Sequence, residues 1–289
     1  MATILLTDSC CDLPVEIMQR YNIEMVSLTY IVGDVERLDD LWQTQDAPSF
    51  YNQMRAGSPT KTSQVNVDKF LAIFRAAAAK GDNIIYIAFS SALSGTANAA
   101  TLAQKMLQTE IPDFKLAVID SKCASLGQGL LVYEAAKRLA AGASADDTIA
   151  WVKQSFGQIN HWFTVGDLEY LKRGGRISPL AGAVGTLLQI KPVLRVDDEG
   201  RLVPWAKARG RKKALDMLCD MMSRQYDSSI CQTVAISHAD CLADAQSLAD
   251  RIRTAMPVDE FIISQIGPVI GSHAGPETLA LFFYGENRG

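Results

Sequence analysis

The stretch from Ile84 to Thr96 most constrains the fold of this chain. An apolar run of strand length, Ile84-Ile85-Tyr86-Ile87-Ala88-Phe89, stops abruptly in Ser90-Ser91-Ala92-Leu93-Ser94-Gly95-Thr96, and Ala97 to Met106 continues without a proline or glycine. That pattern predicts a buried strand feeding a helix. A helix start leaves unpaired backbone N–H groups and the positive end of the helix dipole, so a loop of Ser and Gly there has two uses. It either caps the helix through Ser94 or cups an anion without offering it a base.

The same junction recurs along the first half. Thr3 to Thr7 reads as a strand ending in Thr7-Asp8-Ser9, and Asp12-Leu13-Pro14 reads as a helix start, with Asp at the cap and Pro in the first turn. Met25 to Val32 reads as a second strand, Gly57 to Gln64 as a turn-rich loop, and Val67 to Lys80 as a helix. Leu116 to Ile119, ending in Asp120-Ser121, is a further strand before a helix from about Leu126 to Ala141. Alternation of this kind predicts a parallel sheet covered on both faces, with ligands beyond the carboxyl ends of the strands, where Asp8, Ser9, Ser91, Ser94, Asp120 and Ser121 fall.

Beyond residue 157 the texture changes. His161 to Val165 reads as a strand, Asp167 to Lys172 as a short helix and Arg173-Gly174-Gly175-Arg176 as a turn; Pro192 to Val196 and Arg201 to Trp205 form an antiparallel hairpin across Asp197-Asp198-Glu199-Gly200. Helices from about Arg211 and Asp240 and strands at Thr233 to Ser237, Phe261 to Gln265 and Leu279 to Tyr284 complete a mixed sheet with helices on one face. The fold class expected is therefore α/β in two domains: residues 1–157 a parallel-sheet, three-layer α/β/α unit, and residues 158–289 a two-layer unit with a mixed sheet.

Several function classes drop out. No Gly-x-Gly-x-x-Gly follows the first strand, and neither a P-loop nor a Gly-x-Ser-x-Gly elbow is present. The six cysteines form no Cys-x-x-Cys pair and read as reduced structural thiols, Cys11 and Cys123 being the two whose loops border the site. The three histidines lie too far apart to announce a metal site. A net charge of -4 does not invite nucleic acid. No apolar stretch approaches the ~20 residues of a spanning helix, and the amino terminus lacks a basic signal-peptide region, so a cytoplasmic protein without stable membrane insertion is expected.

What remains is rich in neutral donors: Thr62, Ser63, Gln64, Ser91, Ser94 and the backbone amides near Gly95, with His273 in Gly271-Ser272-His273-Ala274-Gly275-Pro276, read as a loop. Hydroxyls and amides without a nearby base suit holding a carboxylate or phosphate better than breaking one. Two basic clusters, Lys172-Arg173-Gly174-Gly175-Arg176 and Lys207-Ala208-Arg209-Gly210-Arg211-Lys212-Lys213, place cations in glycine-containing turns where a phosphate can approach.

Taken together, these residues resemble the DegV family, and the resemblance runs end to end. It is carried by Thr7-Asp8-Ser9 with Asp12-Leu13, Thr62-Ser63-Gln64, Ser90 to Thr96, Asp167 to Ser178, Ile190-Lys191-Pro192 and Gly267 to Pro276. The resemblance implies a two-domain protein, similar also to the substrate-binding half of dihydroxyacetone kinases, that binds one palmitate- or oleate-like fatty acid and no other cofactor or metal. It implies that Thr62, Ser94 and Gly95, with His273 nearby, hold the carboxylate. In bacteria such proteins present the acyl group to a separate fatty acid kinase for acyl-phosphate formation, in phospholipid metabolism, and Arg173 and Arg209 carry over as contacts to phosphate or to that kinase. The chain itself would then be a carrier and not an enzyme. A stand-alone phosphotransferase or a hydrolase on a small carbonyl or ester substrate is the alternative. A tunnel for the acyl chain is required, and Leu180 to Leu188, which alternates small and branched residues, is read either as its wall or as close helix packing.

Overall fold

A computed structural model describes residues 2–178 and 190–288, so the expectation for Leu180 to Leu188 falls outside the described residues. In chain order the first half comprises β1 (Thr3–Asp8), α1 (Val15–Arg20), β2 (Glu24–Val26), β3 (Thr29–Val32), β4 (Val35–Leu38), α2 (Ala47–Arg55), β5 (Thr60–Ser63), α3 (Val67–Lys80), β6 (Asn83–Ala88), α4 (Thr96–Glu110), β7 (Leu116–Asp120), α5 (Leu126–Ala140) and α6 (Ala145–Ser155). The second half comprises β8 (Ile159–Thr164), α7 (Glu169–Arg173), β9 (Ile190–Val196), β10 (Leu202–Arg209), α8 (Arg211–Gln225), β11 (Thr233–His238), α9 (Leu242–Ala255), β12 (Glu260–Gln265), α10 (Pro268–Ala274) and β13 (Leu279–Tyr284).

The first sheet runs in the order β2-β1-β6-β7 with every pair parallel, as the apolar strands followed by helices require. The second runs β10-β9-β8-β13-β11-β12; only β11 and β12 pair in parallel, so it is mixed. A third, small antiparallel sheet, β4-β3-β5, is absent from the sequence reading. The predicted strand from Met25 to Val32 breaks at Ser27-Leu28, where the Leu28 N–H donates to Ser9 Oγ at 3.1 Å. The chain then leaves the parallel sheet and pairs Tyr30 with Thr62. The segment read as a turn-rich loop is thus strand from Thr60 to Ser63, because the β-branched Thr60 and Thr62 find an open edge on β3.

The second half is a mixed sheet with its own helices α8 and α9 on one face, as expected, and the first half supplies the cover for the other through α5. Helix α5 lies between the two large sheets and is fitted to both. A Cβ on Gly127 would fall 2.1 Å from His161 Nε2 on β8, and one on Gly129 would fall 2.5 Å from the Cys11 carbonyl that follows β1. Between them Gln128 donates from Nε2 to Thr7 Oγ1 at 3.0 Å and to the Ile87 carbonyl at 3.2 Å. Two glycines flanking one buried amide let a helix approach closer than its own side chains would permit.

Asp12 does not cap a helix. It sits in a left-handed conformation (φ 52°), and α1 opens after Pro14 with no side-chain cap. The carboxylate is buried and turned across the molecule instead, accepting from the Gly267 N–H at 2.8 Å and from Ser125 Oγ. Burial pushes the Asp12 carboxyl up from an ordinary 3.8 to about 7, against the opposing pull of those two donors. Between those values the folded chain holds a proton that the unfolded chain releases. The group therefore favours folding most below about pH 4, and its contribution is lost as pH rises to about 7. At about 1.4 kcal/mol per unit the loss is on the order of 4 kcal/mol. Asp12→Asn, neutral throughout, is expected to escape it: its stability relative to the wild type, read from urea midpoints, should improve steadily between those pH values and level off above them. A difference flat across pH would contradict this account of Asp12.

Candidate functional site

A cavity of about 410 Å³ is lined by residues from both halves of the chain, a size within the roughly 300–1,000 Å³ of small-molecule sites. Most of its wall is apolar, with Phe89 and Leu93 contributed by the first half and Phe163, Phe282 and Val269 by the second.

Polar groups cluster at the loops. After β6, Ser90 and Ser91 are both spent on structure: Ser90 Oγ donates to the Gly200 carbonyl at 2.9 Å and Ser91 Oγ to Asp120 Oδ2 at 2.5 Å. Pinning these two turns Ser94 toward the cavity, where its Oγ lies 2.9 Å from Thr96 Oγ1 and accepts weakly from the Thr96 N–H at 3.3 Å. The first residue outside α4 is Gly95, whose missing side chain is filled by Gln64; a Cβ there would lie 2.0 Å from Gln64 Oε1. Thr62 comes from β5, tied down two residues earlier by the bond from Thr60 Oγ1 to the Ser272 carbonyl at 3.1 Å.

His273 is in a helix and not a loop. The flanking glycines serve close packing: a Cβ on Gly271 would fall 2.4 Å from the Tyr51 hydroxyl, and one on Gly275 would fall 2.3 Å from the Tyr170 ring. That wedge sets His273 Nε2 2.7 Å from Thr62 Oγ1. Burial, and then the nearby Arg176 guanidinium, lower the imidazole to about 4, so the ring is neutral at neutral pH. Among the described residues its Nδ1 has no hydrogen-bond partner, and it faces the Gly174 backbone, since a Cβ on Gly174 would lie 2.3 Å away. A buried orphan N–H is costlier and rarer than an orphan acceptor, which places the single ring proton on Nε2, donating to Thr62. The Thr62 hydroxyl is then free to donate its own proton into the cavity.

Arg176 is the site residue that the sequence reading passed over. It lines the cavity and is held by bonds from Nε to the Leu93 carbonyl at 3.2 Å and from Nη1 to the Gly174 carbonyl at 2.6 Å. The cavity mouth is therefore not a purely neutral donor set; a fixed cation stands beside the hydroxyls. Two arginines in one Arg-Gly-Gly-Arg turn point differently, and only the fold distinguishes them. Arg173 is exposed, its guanidinium 5.1 Å from the Tyr170 ring centre, and Arg209 is exposed on edge strand β10, so neither lines the cavity. Thr62, Ser94, Gly95 and His273 all do.

Deeper polar groups were also missed. His161 donates from Nδ1 to the Ile159 carbonyl at 3.0 Å and accepts at Nε2 from the Ala124 N–H at 3.2 Å, and burial holds it well below the usual imidazole range. Cys10, Cys11 and Cys123 are buried, and burial raises all three thiols, which makes them poor nucleophiles. Among the described residues no group of three or more His, Cys, Asp or Glu is arranged to hold a metal ion, and no helix is long and apolar enough to cross a membrane. The arrangement is chemically suited to gripping an anionic head group at one place and covering an apolar body.

Similarity to known proteins points the same way. A family model described as an uncharacterised protein of the DegV family matches residues 3–286. A DegV domain-containing protein of Clostridium perfringens is 42% identical over 285 residues, covering 99% of this chain and 98% of that one. The structure of a fatty-acid-binding DegV family protein from Thermus thermophilus matches with a TM-score of 0.85 at 30% identity, over 99% of this chain and 100% of its own. That of the fatty acid kinase B3 protein of Streptococcus pneumoniae, loaded with linoleic acid, matches at 0.85 and 25% identity over 99% and 100%. From its first strand to its last, in sequence and in fold, the chain belongs to the DegV family.

Proposed function

We propose that this protein is a cytoplasmic carrier of one long-chain fatty acid, which it presents to a separate ATP-dependent fatty acid kinase. The observation that carries the reading is an apolar cavity whose lining includes the Thr62 hydroxyl bonded to a neutral His273 imidazole, the Ser94 hydroxyl and the Arg176 guanidinium. Burial of an acyl chain contributes about 0.8 kcal/mol per methylene, so a palmitate- or oleate-like chain supplies most of the affinity and the carboxylate fixes its direction. Thr62 and Ser94 donate to that carboxylate, His273 orients Thr62, Gly95 keeps space for Gln64, and Arg176 supplies the charge. The fatty acids carried by the Thermus and pneumococcal relatives support this ligand class, and the kinase in the pneumococcal protein's name supports the partner. Arg173 and Arg209, exposed and outside the cavity, are then assigned to the incoming phosphate or to the kinase surface. A division of the chain into units 1–157 and 158–289 would put the hydroxyl loops in one and His273 in the other, with the acid between them.

Holding without cleaving also fits. Ser125 has the strained backbone of a nucleophile, yet its Oγ is bonded to Asp12 and Ser237, and both nitrogens of His161 are already engaged. The test is organic extraction of the purified protein followed by mass spectrometry. One long-chain fatty acid per chain is expected, and after delipidation added palmitate or oleate should restore it. An empty extract together with no uptake would contradict the reading, and ATP turnover by the isolated chain would favour the stand-alone phosphotransferase.

A further inference from the structure

Thr278, Ala280 and Phe282 line the cavity from one face of β13 and the residue before it, each two positions from the next. Thr278 marks the head-group end: its Oγ1 donates to the Ala274 and Gly275 carbonyls at 2.9 Å, where α10 ends just beyond His273. At about 3.4 Å per residue the wall then runs about 14 Å from Thr278 to Phe282. Strand β8 supplies the matching side, with Phe163 paired to Ala280 and His161 to Phe282. Position along these strands thus measures distance from the carboxylate.

The wall ends abruptly. The next pair on the same face, Ile159 and Tyr284, belongs to the core and does not line the cavity. Exposure falls in step, from 7% at Phe163 and Ala280 to 2% at His161 and Phe282, and then to 0% at Ile159 and 1% at Tyr284. The last lining pair is also held fast. Its two rings meet edge to face, their centres 5.2 Å apart and their planes at 85°. Both His161 nitrogens are bonded, and α5 backs the imidazole at Gly127, so the ring has no room to withdraw. A close-packed wall of this kind admits an extra methylene only at a cost.

We infer that His161 and Phe282 set the acyl-chain length by stopping the methyl end of the chain, an inference that rests on the fatty-acid reading above. Delipidated protein would be titrated with saturated acids from dodecanoic to docosanoic acid. Affinity is expected to rise roughly 4-fold per added methylene up to one length and to fall beyond it. Phe282→Leu should move that limit to longer acids. Ala280→Val, which narrows the cavity one pair above its end, should bind the best wild-type acid roughly 5- to 150-fold more weakly and move the limit to shorter ones. Should either variant fail to fold, a crystal of the wild type loaded with its best-bound acid, brominated on the last carbon, decides the matter. Anomalous scattering should then place the bromine within about 4.5 Å of the His161 or Phe282 ring. A wild type without a length limit, a limit that either folded variant leaves in place, or a bromine elsewhere would overturn the inference. Failure of every acid to bind would instead overturn the fatty-acid reading.

Discussion

Replacing Thr62 and Ser94 together with alanine is expected to remove the directional grip on the carboxylate while leaving the fold intact. Each hydroxyl is a donor to a charged acceptor, worth about 1.5–3 kcal/mol, so each single variant should weaken palmitate binding roughly 10- to 150-fold. The double variant should lose more than either. Neither side chain bears on the core: Thr62 sits on a short strand of the small sheet and Ser94 in a loop whose shape is held by Ser90 and Ser91. Thr62→Ser, which keeps the hydroxyl beside His273 Nε2, is expected to retain most of the affinity. Calorimetric titration of delipidated protein reads all four. Unchanged affinity in the double variant would show that the carboxylate lies elsewhere.

Arg288→Ala should be the most destabilising single change outside the core. This residue near the carboxyl terminus is 5% exposed, and its guanidinium gathers acceptors from three parts of the chain. Nη1 donates to the carbonyls of Lys122 at 2.6 Å and Asp197 at 3.1 Å, Nη2 to the Phe156 carbonyl at 2.6 Å and to Cys123 Sγ at 3.1 Å, and Nε to the Ile159 carbonyl at 3.1 Å. It thereby ties the loop after β7 to the start of β8 and to the β9–β10 turn. Truncation strands several buried carbonyls at about 1–3 kcal/mol apiece, of which relaxation and water recover part, so a loss of about 3–5 kcal/mol is expected. Lysine should not rescue it, because an ammonium on a flexible stem lacks the planar fork that reaches acceptors in several directions. Urea denaturation of the wild type, Arg288→Ala and Arg288→Lys checks this; a midpoint shift in the alanine variant no larger than that of a typical surface change would contradict it.

Strand and helix alternation was legible because it depends on local patterns. The apolar run before Ser90 and the Asp-Asp-Glu-Gly turn of the β9–β10 hairpin appear where their residues predict them. Ser144-Ala145-Asp146-Asp147 has the local pattern of a helix start, and the Ser144 hydroxyl accepts from the Asp147 N–H at 3.1 Å. What was not legible depends on partners distant in sequence. Thr60 to Ser63 reads as a loop until β3 offers it an edge, and His273 reads as a loop residue until Tyr51 and Tyr170 explain its glycines as packing contacts. Asp12 carries the local signature of a helix cap, but a left-handed backbone sends its carboxylate to Ser125 and Gly267, far along the chain. Choosing between Arg173 and Arg176 needed the direction of each side chain, which spacing does not encode.

The position of the carboxylate in a crystal structure of the palmitate-loaded protein tests the central claim most directly. The account predicts its oxygens within hydrogen-bond distance of Thr62 Oγ1 and Ser94 Oγ, with the hydrocarbon running past Phe163 and Phe282. A carboxylate seated against Ser125 and Ser237, or a cavity that stays empty after loading, would contradict it.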